Sequence, residues 1–329
     1  MENLTTQHWN VLQQMDGQAG DTLKATLSKH YSPHTIWNGS HPFNTLTGSD
    51  QLLEDFWQPF THAFPDYSRH NQIFFGYHDG NSHWVASIGH YIATFSQDWI
   101  GIPANQALIH LRFGEFCQFE DGKIVKTNIQ FDIPGLLNQV GLLPLTKGTG
   151  TTAWFPTPLT QDGIRLTPEE PSEGLKTLDL VNRMLDGLMT YDPEKKDLEQ
   201  MQQHLFWAPD MLWYGPTGIG STRAMAGFRR YHQVPFLTAF PDRKGGYHDV
   251  RMCAGPYTAT CGWPSIHATH AGDYLGISAT NQRIEMRVMD FWRRQDALLA
   301  ENWVFIDLPH LLLQSGYDLI SEGIALAGN

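Results

Sequence analysis

Most motifs that would define a simple active site are missing from this 329-residue sequence. It contains only three cysteines, Cys117, Cys253 and Cys261, an odd number without metal-site spacing, which predicts reduced thiols. Sixteen histidines include no His-Glu-x-x-His pair, and there is no phosphate-cradling glycine loop or Gly-x-Ser-x-Gly turn. We therefore expect a protein that uses neither a metal nor a cofactor.

Positive charge and long apolar runs are also scarce. Lys and Arg number 22 against 34 Asp and Glu, and the net charge of −12 argues against a nucleic-acid partner. No segment has the roughly 18 consecutive apolar residues of a membrane helix. The first ten residues lack the basic and apolar regions of a secretory signal. These absences predict a cytoplasmic protein with no membrane partner.

What the sequence does contain is an internal repeat with a spacing of about 175 residues. The recurring residues are Ala93-Thr94, Asp98 and Gly101-Ile102 with Ala268-Thr269, Asp273 and Gly276-Ile277, and Phe64-Pro65-Asp66 with Phe240-Pro241-Asp242. So long a period indicates two complete domains, since solenoid units run roughly 20–50 residues. We predict a first domain at 1–147, a linker at 148–175 rich in Gly, Thr and Pro, and a second domain at 176–329.

Each copy begins with helical patterns and continues with long strand-like segments. Helices are predicted at Trp9 to Tyr31 and Gln51 to Phe64, and at Thr177 to Trp207 and Met225 to Phe240. Strands are predicted at 83–95, 106–119 and 123–131, and at 257–270, 283–294 and 298–306. This order predicts an α+β fold in which helices cover one face of a curved antiparallel sheet, with a pocket between the two layers.

The segment from Ala268 to Ile277 resembles the Thr-His-Thr-Gly-Glu-Phe-Leu-Gly-Ile stretch of the SnoaL-like polyketide cyclases, within the NTF2-like superfamily. Gln118 to Val125 resembles their Arg-Phe-Glu-Asp-Gly-Lys-Ile-Val segment. The resemblance implies two cone-shaped domains, each with a largely apolar pocket for a small hydrophobic molecule. Because members usually dimerise, it also implies an intramolecular pseudo-dimer, with a further homodimer left open.

The same resemblance implies an acid/base carboxylate just after the Trp of the family's Glu-His-Trp. The corresponding positions hold Ile129 and Val304, which cannot move a proton. The family's His is Thr127 in one copy and Asn302 in the other. A catalytic group must therefore come from elsewhere, or catalysis has been lost.

Strand alternation offers substitutes, Asp290 and Glu115, which occupy the same repeat position. Side chains two residues apart share a strand face, and each acid lies among apolar residues, which are Ile284, Met286, Val288 and Trp292 in one copy and Ile109, Leu111, Phe113, Cys117 and Phe119 in the other. Desolvation raises the pKa of a carboxyl group, which suits a general acid or base. The structural alternative is a buried acid paired with an Arg or a hydroxyl.

Each of the other candidates also has a structural alternative. His270, in the family-like motif, is a candidate for sharing a proton with Asp290, or is a strand-end histidine bonded to a loop. Candidate substrate-binding residues are Tyr31, Trp37, Trp207, Trp213, Tyr214 and Asn302, although the aromatic ones suit an ordinary core equally well. Asp132 and Asp307, each followed by Pro two residues on, predict helix N-caps.

Two functions remain open from the sequence. The first is a cofactor-free enzyme that moves a proton next to the carbonyl of a small hydrophobic compound, as in aldol-type cyclisation or isomerisation. The second is a non-catalytic binder of small molecules. A third possibility is that one copy has no function of its own and is a scaffold for the other.

Overall fold

The computed structural model describes residues 3–145, 150–151 and 155–328. The chain divides into two compact units, the first comprising Met1–Pro144, Leu159–Pro168 and Asp318–Asn329 and the second Leu145–Pro158 and Glu169–Tyr317. The predicted boundaries differ in three places, because Leu145 is predicted in the first domain, 159–168 in the linker and 318–329 in the second domain. Of the predicted linker, residues 148–149 and 152–154 lie outside the described residues.

The first unit consists of a mixed sheet and helices. Its helices are α1 (Leu4–Gln14), α2 (Gly20–His30), α3 (Ser49–Leu52), α4 (Gln58–Ala63), α5 (Ile133–Gln139) and the C-terminal α10 (Leu319–Leu326). Its strands are β1 (Tyr31–Gly39), β2 (Thr45–Thr47), β3 (Ser68–His78), β4 (His83–Thr94), β5 (Leu108–Glu120), β6 (Lys123–Phe131) and β7 (Ile164–Arg165), in the order β2-β1-β6-β5-β4-β3-β7. Helix α10 belongs to this unit because it packs against α5.

The second unit repeats this plan. Its helices are α6 (Pro171–Leu188), α7 (Ala224–Phe228), α8 (Val234–Ala239) and α9 (Leu308–Gln314). Its strands are β8 (Trp207–Tyr214), β9 (Ser221–Arg223), β10 (Val250–Ala254), β11 (Tyr257–Thr269), β12 (Arg283–Gln295) and β13 (Leu298–Ile306), in the order β10-β11-β12-β13-β8-β9. The α+β prediction is confirmed, but both sheets are mixed, since β1 runs parallel to β6 and β8 parallel to β13.

The predicted long strands are confirmed to within three residues at either end. Asp121 and Gly122 both have positive φ, at 47° and 75°, as the predicted tight hairpin requires. The lead-in helices are shorter than predicted. Gly17 and Gly20, with φ of 66° and 54°, separate α1 from α2. In the second unit α6 ends at Leu188, shortly before Pro193.

The second helical segment of each copy contains a π-helical turn, at Leu53–Trp57 between α3 and α4 and at Arg229–Gln233 between α7 and α8. The two turns are separated by the same 176 residues as the Phe-Pro-Asp blocks that follow them. Phe64 and Phe240 end these segments with non-helical φ of −128° and −129°, as predicted. The repeat therefore extends to a local helix irregularity.

The N-cap predictions are confirmed in both copies. The Asp132 side chain accepts a hydrogen bond from the Gly135 amide at 3.0 Å, and that of Asp307 accepts one from the His310 amide at 3.2 Å. Each Asp also pairs with an arginine of the neighbouring strand, Arg112 or Arg287.

Strand register places Glu115 and Asp290 at equivalent points. Glu115 lies opposite Ser87 and Ile129, and Asp290 lies opposite Thr260 and Val304. A difference follows in β11, where the pairing shifts between Gly262 and Ile266, whereas β4 pairs with β5 without interruption. Among the helices that the structure describes, none has the length and apolarity that crossing a membrane would require.

Candidate functional site

The candidate site is a cavity of about 160 Å³ in the second domain, between α6, the helical segment with the π turn, and the sheet. A comparable volume of about 150 Å³ in another protein holds a benzene ring. Its apolar lining comprises Met184, Leu185, Leu188, Met189, Trp207, Trp213, Phe228, Phe236, Leu237, Ile266, Met286, Val288, Trp292, Val304 and Ile306. Met189, 46% exposed, is where the wall reaches the surface.

The carboxylate of Asp290 faces this cavity from β12. It is half-buried, since the cavity is the open space beside it. Asn302 Nδ2 on β13 donates a long hydrogen bond to Asp290 Oδ1 at 3.3 Å. Desolvation raises the pKa of Asp290 to about 7, and the bond from Asn302 opposes this rise only weakly. Asp290 therefore exchanges its proton near neutral pH.

The period-two prediction for β12 is confirmed. Met286, Val288 and Trp292 line the cavity on the same strand face as Asp290. Of the predicted substrate-binding residues, Trp207, Trp213 and Asn302 also line it. The Trp213 ring stacks on His232 with centroids 4.2 Å apart and planes 18° apart.

Sequence reasoning missed six polar residues of the wall, which are Gln203, His248, Ser265 and, on the helical segment and just after it, His232, Gln233 and Arg243. The Gln233 side chain is buried, and neither its oxygen nor its nitrogen has a hydrogen-bond partner among the described residues. His232 Nδ1 is likewise without a partner, and burial lowers the pKa of this histidine to about 3, so it is neutral. For His232, Gln233 and Arg243 the signal was present in the repeat, because aromatic residues of the first copy, Phe56, Trp57 and Tyr67, occupy the matching positions.

Glu115, the counterpart of Asp290, faces inward as predicted but is sealed by a basic partner. Arg69 Nη2 on β3 lies 2.7 Å from Glu115 Oε2, and both side chains are buried. The same guanidinium donates to Ser87 Oγ at 2.8 Å and to Tyr91 Oη at 3.0 Å. It also covers the Phe113 ring at 4.0 Å. Glu115 therefore matches the structural alternative, an acid held in a buried ion pair. This pairing does not favour a catalytic role.

His270 is not brought to Asp290. It does not line the cavity, and its Nδ1 lies 3.2 Å from the hydroxyl of Thr280 in the following loop. Its ring packs on Phe240 at 5.7 Å, as the equivalent Phe95 packs on Phe64 at 5.0 Å. The structural alternative therefore describes His270, which bonds to a loop. Its ring packs on Phe240, the residue that ends the second helical segment.

Three predicted substrate-binding residues lie elsewhere. Tyr214 Oη donates to Glu301 at 3.1 Å, beside the buried Arg293–Glu301 ion pair, and does not line the cavity. Trp37 and Tyr31 are buried in the first domain, where Trp37 packs on Phe56 at 4.7 Å. These rings form core, which periodicity cannot distinguish from a pocket wall.

One group of buried side chains in the first domain has donor atoms within 4.8 Å of one another, His8, Glu115 and Cys117. The Arg69 guanidinium already neutralises Glu115 at 2.7 Å, and a second cation there would be repelled. Burial raises the pKa of the Cys117 thiol, which disfavours the thiolate that binds metals. This arrangement does not favour a metal ion.

An apolar interior cavity with one perturbed carboxyl group is typical of the sites at which proteins bind small molecules. The family model described as SnoaL-like polyketide cyclase matches residues 13–140 and 181–315, which is most of the chain in two segments. The chain belongs to the SnoaL-like polyketide cyclase family and carries it in tandem. No curated protein sequence matches the chain.

Three similar solved structures each align with less than half of this chain. A proposed SnoaL-like polyketide cyclase from Jannaschia sp. CCS1 is 13% identical, with 42% of this chain and 91% of that chain covered and a TM-score of 0.36. IdmH, a proposed polyketide cyclase from Streptomyces antibioticus, is 21% identical, covering 43% and 99% with a TM-score of 0.34. An NTF2-like protein from Burkholderia thailandensis E264 is 14% identical, covering 43% and 98% with a TM-score of 0.33.

Proposed function

We propose that the second domain is a cofactor-free acid/base catalyst for a small hydrophobic carbonyl compound, and that the first domain is its scaffold. The observation that carries this proposal is the placement of Asp290, a carboxyl group with a pKa of about 7 on the wall of an apolar cavity. A base whose pKa lies near the working pH is the most effective at proton transfer.

In this mechanism the Asp290 carboxylate takes a proton from the carbon next to the substrate carbonyl. The C–H electron pair moves into the carbonyl group, which becomes an enolate, and Asp290 becomes neutral. In an isomerisation, Asp290 returns this proton to another carbon of the conjugated enolate. In an aldol-type cyclisation, the enolate carbon attacks a second carbonyl carbon, and Asp290 gives the proton to the alkoxide that forms. Either way the Asp290 carboxylate is regenerated, so the cycle closes without a cofactor.

The cavity wall also offers donors for the developing oxyanion. Gln233 Nε2 and Trp292 Nε1 are buried N–H groups without a hydrogen-bond partner among the described residues. Donors held in a site that excludes water stabilise negative charge more strongly than water does. Leaving a buried N–H group without a hydrogen bond lowers the stability of the folded protein by about 1–3 kcal/mol. This cost is consistent with a role for both groups in binding a ligand.

A proton-exchange assay tests the proposal without knowledge of the natural substrate. The probe is 2-tetralone, a bicyclic ketone with acidic C–H bonds, followed by proton NMR in deuterium oxide. The wild-type chain should accelerate exchange, with a rate that rises with pH and levels above about 7, where Asp290 is charged. Asp290→Asn should lower the rate about 100-fold or more.

The matched control is Asp186→Asn, which removes the same charge from an exposed position on α6 outside the cavity lining. It should exchange the ketone like the wild type. If 2-tetralone binds but the wild-type chain does not accelerate exchange, the proposed catalysis is contradicted and the non-catalytic binder is favoured. Equal rates for wild type and Asp290→Asn would remove Asp290 from the mechanism.

A further inference from the structure

Arg243 differs from five other shielded arginines of this chain, although half-buried Arg251 likewise bonds to neutral groups, Asn182, His248 and Gly246. Five arginines of low exposure each pair with a carboxylate, and these pairs are Arg69–Glu115, Arg112–Asp132, Arg287–Asp307, Arg293–Glu301 and Arg294–Glu173. Arg243 is half-buried on the cavity wall, yet no carboxylate among the described residues pairs with it. A cation withdrawn from water without an anion is unfavourable.

The surroundings of Arg243 hold it in place without neutralising it. Its Nη2 donates to the backbone oxygen of Leu188 at 2.8 Å, at the end of α6. Its guanidinium also lies over the Tyr191 ring at 5.5 Å. Burial lowers the pKa of Arg243 to about 10, so the group remains a cation at neutral pH. Since an arginine has five N–H donors, most of them remain for a ligand.

The nearest titratable neighbours do not provide the missing charge. Arg243 and His232 influence each other electrostatically, but His232 is neutral because burial lowers its pKa to about 3. A charge on Tyr191 would raise the pKa of Arg243, but burial outweighs it. Asp290 makes no ion pair with it, although both line the cavity.

The internal repeat shows that the polar side chains of Arg243, His232 and Gln233 are a feature of the second domain. The position of Arg243 holds Tyr67 in the first domain, where the tyrosine hydroxyl bonds to the backbone oxygen of Met15 at 2.5 Å. The adjoining His232 and Gln233 likewise replace Phe56 and Trp57. Three aromatic residues of one copy are therefore replaced in the other by residues whose side chains can hydrogen-bond to a ligand.

We propose that the second-domain cavity binds a flat, ring-containing compound that carries a carboxylate, with the carboxylate on Arg243 and the ring between Trp213, Trp207 and Phe228. This proposal names the substrate class for the function proposed above and rests on the same cavity. The guanidinium fork suits the planar carboxylate, and aromatic walls suit a planar ring. Arg243 is a binding residue in this proposal and takes no part in proton transfer.

The test compares 2-naphthoate with 2-naphthamide, its uncharged counterpart, by isothermal titration calorimetry on the full chain at pH 7.5. Wild type should bind 2-naphthoate about 10-fold or more tightly than 2-naphthamide, because a charged hydrogen bond is stronger than a neutral one. Arg243→Met should remove this preference, weakening 2-naphthoate much more than 2-naphthamide. Arg243→Lys should retain part of it.

The matched control is Arg230→Met, which removes an exposed arginine from the neighbouring π turn and should leave both affinities unchanged. The proposal is overturned if the two probes bind wild type equally, if neither binds, or if Arg243→Met weakens both alike. Asp290→Asn should bind 2-naphthoate at least as well as wild type. If wild type prefers 2-naphthoate but does not accelerate proton exchange of 2-tetralone, the catalytic proposal alone is therefore contradicted.

Discussion

The two domains have the same fold and an acid at the same strand position, but the acids differ in their surroundings. In the first domain Arg69 on β3 reaches Glu115 on β5 across the one strand between them, β4. In the second domain the position of Arg69 holds Gly245, and that of Tyr91, which bonds to Arg69, holds Ile266. Asp290 is left with one long hydrogen bond from Asn302. A single missing arginine thus separates a structural ion pair from a titrating group.

The same comparison explains the cavity. Phe113 and Phe131 of the first domain are Val288 and Ile306 in the second, and both replacements line the cavity. In the first domain Phe131 stacks on Phe56 at 5.5 Å, and Phe113 packs on Tyr91 at 5.0 Å. Smaller side chains leave space that close-packed interiors do not otherwise contain. The cavity and the carboxyl group that no arginine neutralises occur in the same domain because both follow from smaller side chains. Gly245 takes the position of Arg69, and Val288 and Ile306 take those of two phenylalanines.

The largest effect should come from breaking the ion pair of the first domain. Arg69→Met retains the apolar contact with Phe113 but leaves Glu115 buried without its cation. The free energy of unfolding should fall by about 3–5 kcal/mol, measured by urea denaturation. Arg183→Met breaks an exposed pair with Asp179 and should cost less than about 1 kcal/mol. Equal losses in the two variants would show that Glu115 is not held by Arg69.

A smaller effect is expected from restoring the first-domain pattern in the second. In Gly245→Arg, position 245 can accept a side chain, because the heavy atom nearest to a new Cβ is Ile266 Cγ1 at 3.3 Å, and the Ile266 side chain needs to shift only slightly. The new cation should pair with Asp290, fill part of the cavity and reduce 2-tetralone exchange about 100-fold. Gly227→Arg, where only Thr222 Cβ lies within 4 Å at 3.7 Å, adds the same charge outside the cavity lining. Undiminished exchange in Gly245→Arg would mean that the two positions are not equivalent.

The smallest effect concerns stability against pH. Because the folded pKa of Asp290 is about 7 and its ordinary value is 3.8, the folded chain holds this proton more tightly than the unfolded chain. Wild-type stability should therefore fall as pH rises from about 4 to 7 and level above 7. Asp290→Asn should abolish this component and be more stable than wild type at pH 8 by about 1–3 kcal/mol, allowing for partial exposure. Thermal melting at pH 5 and pH 8 measures it, and a gain of equal size at both values would contradict it.

The sequence was sufficient for the repeat, the strands and the inward direction of both acids, because these depend on local periodicity. It was insufficient for the partners of those acids. Arg69 lies 46 residues before Glu115, and only the pairing of β3, β4 and β5 brings them together. The repeat also made Trp37 and Trp213 equal candidates for a pocket wall, although the first is core and the second lines the cavity.

Comparison of the two copies carried information that composition did not. Arg243, Gln233 and His232 each replace an aromatic residue in a segment that is otherwise closely repeated. Their contribution to a single cavity depends on the helical segment folding back over the sheet, which helical periodicity alone does not specify. A difference between repeats is thus a local signal whose meaning requires the tertiary structure.

The most direct test of the contrast between the two acids is a carbon-13 NMR titration of the side-chain carboxyl groups in the full chain. One aspartate carboxyl should titrate with a pKa of about 7, and its signal should vanish in Asp290→Asn. If every aspartate titrates at its ordinary acidic value, or if the neutral-range signal persists in that variant, Asp290 is not the shielded and unpaired acid described here.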